Sequence, residues 1–373
     1  MAHDIERSKL QVEQTEEHKP LIPLKELTFG KHFTDHMLTV EWDKQDGWHE
    51  PHIKPYQKLQ LDPSSTVFHY GFECFEGMKA YKDDQGHVRL FRPEMNMERL
   101  NHSAARVGMP RFNGEELLKC IVELLRLDER WIPMERGYSL YLRPTMISTY
   151  PTLGIRAPEK VLLFVIACPV GPYYSTGFKA VSLLATSDYV RAWPHGTGDT
   201  KVGGNYAPGV LPQNIALEQG YQQNLWLFGK DEEVTEAGTM NFFMLWENPS
   251  GRLELLTPAL NGLILPGITR DSVIQLVSSW EAEMKIRVIQ DKITMAEILQ
   301  AVHEDRVIEM FGTGTACIVS PIKCIGFKGR DISIPLDPQD FKSEAGHLTK
   351  KINQAIMDIQ YGVVDHPWSR IVF

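Results

Sequence analysis

Gly196-Thr197-Gly198-Asp199-Thr200-Lys201-Val202-Gly203-Gly204-Asn205-Tyr206-Ala207-Pro208 sets one lysine among four glycines, ahead of an Asn-Tyr pair. Glycine lacks Cβ and accepts positive φ, so backbone of this kind approaches a flat or anionic ligand closely. The chain carries a formal charge of -9, so this is not a basic patch. A lysine held in such a loop has one obvious chemical use: its amine forms a Schiff base with a carbonyl compound. Alone it reads more readily as a surface lysine in a glycine loop. What decides is whether the rest of the chain supplies partners for that chemistry.

At 373 residues the chain exceeds the roughly 250–300 at which single cores stop growing, which predicts two domains. The 43% hydrophobic and 23% charged content is that of an ordinary globular protein. The acidic balance argues against nucleic acid as a partner. The longest apolar run, Val161 to Val170, is interrupted by Pro169 and is far short of the roughly 20 residues that span a bilayer, so no membrane is expected. Asp4, Glu6, Glu13, Glu16 and Glu17 outnumber Arg7, Lys9 and Lys19 at the N-terminus, unlike a signal or transit peptide. Cys74, Cys120, Cys168, Cys317 and Cys324 are odd in number and scattered, as in a reducing compartment, and the expected location is cytoplasmic. With no CxxC, no HExxH and no Cys/His cluster, no metal is expected; His49 and His52 read as solvated loop histidines.

Residues 1–20 read as a polar, mobile tail. Residues 21–170 are expected to form a small N-terminal domain and 182–373 a larger one, joined by a linker over 171–181 whose core is Gly171-Pro172-Tyr173-Tyr174-Ser175-Thr176-Gly177. Strand alternation appears at Met37–Trp42 and Tyr138–Arg143, and Lys160–Cys168 reads as a buried strand. Strand pattern restarts at 179–186 and recurs at 224–228 and 242–246. Helical periodicity places Leu117, Leu118, Ile121, Leu124 and Leu125 on one face over 115–127. It also predicts helices over 212–219, 269–284 and within 340–360. Thr294-Met295-Ala296-Glu297 reads as a capping box ahead of buried Ile298, Leu299 and Val302. The strands and helices do not alternate regularly, which favours α+β over a doubly wound sheet.

Five segments bear on the lysine. Gly196-x-Gly198 lacks the third glycine and the strand–helix setting of a dinucleotide fingerprint. Glu236, within Glu233-Val234-Thr235-Glu236-Ala237-Gly238-Thr239, is either a solvated turn carboxylate or a partner for a protonated pyridine nitrogen. Leu265-Pro266-Gly267-Ile268-Thr269 opens the strongest helix, and a helix start is either merely capped or a phosphate seat. Gly312-Thr313-Gly314-Thr315-Ala316 is a plain turn into a strand or a second anion site built from backbone N–H groups. Tyr70-Gly71-Phe72-Glu73-Cys74-Phe75-Glu76-Gly77 is core or pocket, with Arg92 and Arg99 downstream; an arginine is the expected bidentate phosphate partner.

Taken together, these segments resemble the fold-type IV pyridoxal phosphate enzymes, and among them the branched-chain-amino-acid aminotransferases of eukaryotic type. The resemblance rests on Phe72-Glu73-Cys74-Phe75-Glu76-Gly77-Met78-Lys79-Ala80, Phe91-Arg92-Pro93, Asn96-Met97-Glu98-Arg99, Tyr141-Leu142-Arg143-Pro144, Gly198 to Tyr206, Thr235 to Asn241, Leu265 to Arg270 and Phe311 to Cys317. It runs from about residue 25 to the C-terminus. It implies an α+β protein of two domains, a small α/β N-terminal one and a larger one with a β-barrel-like mixed sheet, with pyridoxal 5'-phosphate at the domain interface. The implied reaction is transamination of L-leucine, L-isoleucine and L-valine with 2-oxoglutarate.

The resemblance also implies the residue roles. Lys201 carries the cofactor and moves the proton at the substrate Cα. Glu236 binds the pyridine nitrogen and Tyr206 the phenolic oxygen. Arg99, the backbone of Ile268 and Thr269, and Thr313 hold the phosphate. The N–H groups of Thr315 and Ala316 take the substrate carboxylate. Phe29, Tyr70, Phe75, Tyr141, Tyr173 and Thr239 line the side-chain pocket, and Arg143 helps receive the distal carboxylate of glutamate. An aromatic pocket supplies area for a branched side chain, while an arginine and tyrosine hydroxyls at its edge pair a carboxylate that is costly to bury alone. At least a homodimer is implied, with a loop near Leu153 to Ile155 reaching the partner. The alternatives in the same fold type are a D-amino-acid aminotransferase and an aminodeoxychorismate lyase. One departure stands out: where mammalian relatives carry a redox CxxC, this chain reads Cys317-Ile318-Val319-Ser320, so no thiol switch is expected there.

Overall fold

The alternating stretch at Met37 and the apolar run from Lys160 become neighbouring strands. His36–Asp43 pairs antiparallel with Lys160–Val170, Leu38 opposite Val165 and Trp42 opposite Val161. These belong to a computed structural model that describes residues 3–172, 178–340 and 342–373. The chain folds as two units. Met1–Pro172, Thr200–Gly204 and Met357–Phe373 form the first, and Tyr173–Asp199 with Asn205–Ile356 the second. The break after Pro172 falls in the expected linker region, but the division is not sequential. Thr200–Gly204, which carries Lys201, and the C-terminal segment both join the first unit. The units are therefore close in size rather than small and large.

In the first unit the strands lie in the order Gln11–Val12, His52–Pro55, His36–Asp43, Lys160–Val170, Ser139–Ser148, Met78–Lys82, Val88–Phe91, Ser369–Ile371. Ser139–Ser148 and Lys160–Val170 pair antiparallel along their whole length, from Ser139 opposite Val170 to Ser148 opposite Val161. Both are buried almost throughout, which explains the continuous apolar reading of the second. Helix Gly114–Leu127 starts where Asn113 accepts hydrogen bonds from the N–H groups of Glu115 and Glu116. Its Leu117, Leu118, Ile121, Leu124 and Leu125 are buried with Leu38, Val40, Leu140 and Leu163 in one core. Each such side chain contributes about 1.5–3 kcal/mol of transfer free energy.

The expected mobile tail is docked instead. Ile5 is 1% exposed within that core. Arg7 N–H donates to Glu116 at 2.7 Å and its guanidinium to Glu123 at 2.6 Å. Thr15 N–H donates to His36 Nε2 at 3.0 Å, and Lys19 N–H to Asp35 at 2.9 Å. Polar composition hid this, because the segment is held by its backbone N–H groups and by buried partners elsewhere in the sequence.

In the second unit six strands close on themselves. The order is Glu233–Ala237, Gln223–Phe228, Val181–Thr186, Ile318–Phe327, Val307–Gly314, Met240–Glu247, and back to Glu233–Ala237. Closure leaves no free edge among these six. Leu183, Leu225, Leu227, Val234, Phe242, Met244, Met310 and Ile322 share a core. The capping box at Thr294 and Glu297 forms as expected. In that helix Ile298 is buried but Leu299 is 40% exposed, because Met295, Ile298 and Ala301 make the inward face. The helix expected over 269–284 is Ile268–Ser279, followed by a separate turn Glu281–Met284. The last helix is His347–Gln360; buried Glu309 accepts from the N–H groups of Leu348 and Thr349 at its start.

Candidate active site

In the first unit the lysine segment is fixed by its backbone. Lys201 N–H donates to Ser103 Oγ at 2.8 Å, and Lys201 C=O accepts from Phe75 N–H at 3.0 Å. Val202 makes a bridge to Cys74, and Gly203 N–H donates to Glu73 Oε2 at 2.7 Å. Lys201 Nζ lies 4.8 Å from the centre of the Phe75 ring. The Arg143 guanidinium lies 4.7 Å from the same ring and 5.3 Å from that of Tyr141. Arg143 Nη2 donates to Tyr141 Oη at 3.0 Å, while Arg143 Nε is buried without a hydrogen-bond partner. Phe29, half exposed, meets Tyr141 edge-on at 4.9 Å. Tyr70 donates its hydroxyl to Leu153 C=O. Burial pushes the Tyr141 phenol up, against the pull of Arg143, so the ring remains a neutral hydrogen-bonding group. Lys201, Phe75, Tyr141, Arg143 and Phe29 thus form one constellation.

Arg99 sits on helix Pro93–Arg106 and is 8% exposed. Its Nε donates to Glu76 Oε1 at 2.6 Å and its Nη2 to Glu76 Oε2 at 2.9 Å. Asn96 Nδ2 also donates to Glu76, at 2.8 Å. A guanidinium has five donors, and this edge uses two of them. Glu76 therefore aims Arg99.

In the second unit a bulge sets the face of Glu236. Trp226 pairs with Glu236 and Leu227 with Val234, so Thr235 is skipped in the register. Val234 and Ala237 both enter the barrel core, which leaves Glu236 to the other face. Arg191 Nε meets Glu236 Oε2 at 2.9 Å, with both side chains under a tenth exposed. Leu265 N–H donates to Glu236 Oε1 at 2.9 Å. Asn241, the strand partner of both Glu236 and Thr313, donates to Leu265 C=O at 2.8 Å. Ile268 and Thr269 begin a twelve-residue helix whose N-cap, Gly267, brings no side-chain hydrogen bond. Thr313 is 1% exposed, and its Oγ1 has no hydrogen-bond partner. Thr315 and Ala316 lie half buried in the turn between strands Val307–Gly314 and Ile318–Phe327. Tyr206 and Thr239 line a cavity of about 340 Å³ with Arg191, Asn205 and Trp226.

Residues 73–325 match the class IV amino-transferase family. The chain belongs to that family. The cytosolic branched-chain-amino-acid aminotransferase of Saccharomyces cerevisiae is 50% identical over 99% of this aminotransferase and 98% of the relative. The mitochondrial enzyme of the same yeast is 49% identical over 99% and 93%. Among solved structures, the branched-chain aminotransferase of the archaeon Thermoproteus uzoniensis with norvaline superposes with a TM-score of 0.69. It is 25% identical and covers 91% of this chain and 100% of that one. Other solved branched-chain aminotransferases of this fold hold pyridoxal phosphate or pyridoxamine 5'-phosphate.

Several partners in this aminotransferase carried no local sequence signal. Arg191 stands outside every motif and is visible only through Glu236. Ser103 supports the lysine segment from a distant position, and Glu73 and Glu76, though inside the stretch quoted from Tyr70 to Gly77, are not marked there as partners of Gly203 and Arg99. Of the expected pocket residues, Thr239 is exposed in this chain and Tyr173 lies outside the described residues.

Proposed function

We propose that this aminotransferase exchanges the amino group of L-leucine, L-isoleucine or L-valine with 2-oxoglutarate, giving branched-chain 2-oxo acids and L-glutamate. Pyridoxal 5'-phosphate is its cofactor, supported by the family and by the solved relatives. The observation that carries the reading is the first-unit constellation. It sets a lysine amine against Phe75, with Tyr141, Arg143 and Phe29 beside it. Aromatic walls suit a branched aliphatic side chain, and the partnerless Arg143 Nε suits a dicarboxylate.

Two further observations fit the cofactor. A buried hydroxyl without a partner is costly, and Thr313 Oγ1 is one. The helix at Ile268 begins without a side-chain cap, as a phosphate seat does. Thr313, the Ile268 and Thr269 N–H groups and Arg99 would hold the phosphate, and Tyr206 the phenolic oxygen.

When bound, pyridoxal phosphate supplies an aldehyde and an electron-withdrawing ring. Lys201 Nζ would hold the aldehyde carbon of the cofactor and would serve as the base at the substrate Cα. Glu236, oriented by Arg191 and Leu265 N–H, would accept the ring N–H and favour the protonated ring. The N–H groups of Thr315 and Ala316 take the α-carboxylate. Phe29, Tyr70, Phe75, Tyr141 and Thr239 would contact the side chain, and Arg143 would pair the distal carboxylate of glutamate. Cytosolic location and a homodimer complete the proposal, the first supported by the cytosolic yeast relative. The test is spectroscopic. Wild-type protein with pyridoxal phosphate shows a visible band that Lys201→Ala lacks; a colourless wild type contradicts the reading.

A further inference from the structure

Glu73 belongs to no role assigned so far, yet it lies at the base of the lysine segment. Its Oε2 accepts the Gly203 N–H at 2.7 Å. The approach is close: a Cβ on Gly203 would stand 2.1 Å from that same oxygen. Gly203 is two residues beyond Lys201, whose own N–H and C=O are taken by Ser103 and Phe75. The segment therefore has attachments on both sides of the lysine, and Glu73 is the only side chain named above that fixes it on the C-terminal side.

We propose that Glu73 is a positioning residue for Lys201, acting through the Gly203 N–H to set where the lysine side chain leaves the backbone. The proposal rests on Lys201 being the cofactor lysine. Burial raises the Glu73 carboxyl above its ordinary range, opposed by Gly203 N–H, Arg143 and Lys201. The group is thus partly desolvated in the same neighbourhood as both cations, which makes its hydrogen bond stronger than a surface one. The glycine at 203 then has a local explanation: the acceptor leaves no room for a side chain.

Two variants separate acceptance from charge. Glu73→Gln keeps an oxygen at the same reach and loses the charge. Glu73→Asp keeps the charge and draws the acceptor back by one carbon. If the hydrogen bond positions the lysine, Gln retains kcat to within about threefold, whereas Asp loses about tenfold to a hundredfold, as small misplacements of a reacting group do. The KM for leucine stays within about twofold in both, because an aliphatic side chain would meet the aromatic walls and not the Glu73 carboxylate. The visible circular dichroism of the bound cofactor, which reports its orientation, changes in Asp and not in Gln. Wild-type kcat and dichroism in Glu73→Asp overturn the proposal, and so does a Gln variant as slow as Asp. A wild type without a visible band fails the cofactor reading instead, so the two failures are distinguishable.

Discussion

Glu76→Gln tests whether Arg99 is aimed by a buried ion pair. Glu76 is fully buried and Arg99 nearly so. Glu76 Oε2 accepts from Arg99 Nη2, Asn96 Nδ2 and Gly77 N–H, while Oε1 accepts from Arg99 Nε. A glutamine places its one oxygen toward the three donors, and its NH2 then faces the Arg99 Nε–H. The variant thus loses the charge and one donor–acceptor pair, and leaves a buried guanidinium without its counter-charge. Removing one partner of a buried pair costs about 3–5 kcal/mol, and the oxygen that remains places this variant near about 3. At about 2–4 °C per kcal/mol for a unit of this size, the cofactor-free protein should melt about 6–12 °C lower. On the proposal that Arg99 holds the phosphate, pyridoxal phosphate should narrow that gap by supplying the missing negative charge. The assay is a pair of thermal melts, with and without cofactor. A cofactor-free melting point within about 2 °C of wild type refutes the reasoning; so does a gap that cofactor leaves unchanged.

Thr313→Val keeps the shape and removes the partnerless hydroxyl. The cofactor-free protein should be as stable as wild type or up to about 1 kcal/mol more so, while cofactor affinity falls by about tenfold or more, read by melting and by absorbance titration. Gly77→Ala puts a carbon 2.0 Å from Tyr141 Oη. Displacing that ring costs about 1–3 kcal/mol and should raise KM for 2-oxoglutarate more than KM for leucine, because Arg143 loses its tyrosine partner. Asp35→Asn should loosen the docked N-terminal segment. Burial alone would raise the Asp35 carboxyl, but hydrogen bonds from Trp131, Lys19 N–H, His18 and Arg130 outweigh it and hold it down at about 2. An acid with a depressed folded-state pKa stabilises the protein above its unfolded value, near about 3.9, and loses that contribution as pH falls. The difference in urea midpoint between Asp35→Asn and wild type should therefore be full at pH 6 and shrink between about 4 and 2.

Candidate chemistry is legible in the sequence where it is local. Lys201 among its glycines, Glu236 before a tight turn and the Ile268 helix start each announce themselves within a dozen residues. Pairing across sequence was not. The barrel closes through Glu236 opposite Asn241, and the face of Glu236 depends on the bulge at Thr235. Neither leaves a periodic trace. Arg191 and Glu76 are each a charged residue among aromatic and apolar neighbours, and nothing local names the buried partner of either. The N-terminal segment reads as a tail because several of its attachments are backbone N–H groups, which composition does not report, and Ile5 is a single apolar residue among polar ones. Helix limits shifted for a similar reason: the start at His347 depends on Glu309, from a strand far earlier in the chain.

The most direct test of the account is a substrate panel on the purified enzyme with pyridoxal phosphate, read by glutamate formed from 2-oxoglutarate. L-leucine, L-isoleucine and L-valine should each give glutamate, D-alanine should give none, and Lys201→Ala should give none with any donor. Glutamate from D-alanine in preference to L-leucine, or undiminished turnover of L-leucine by Lys201→Ala, contradicts it.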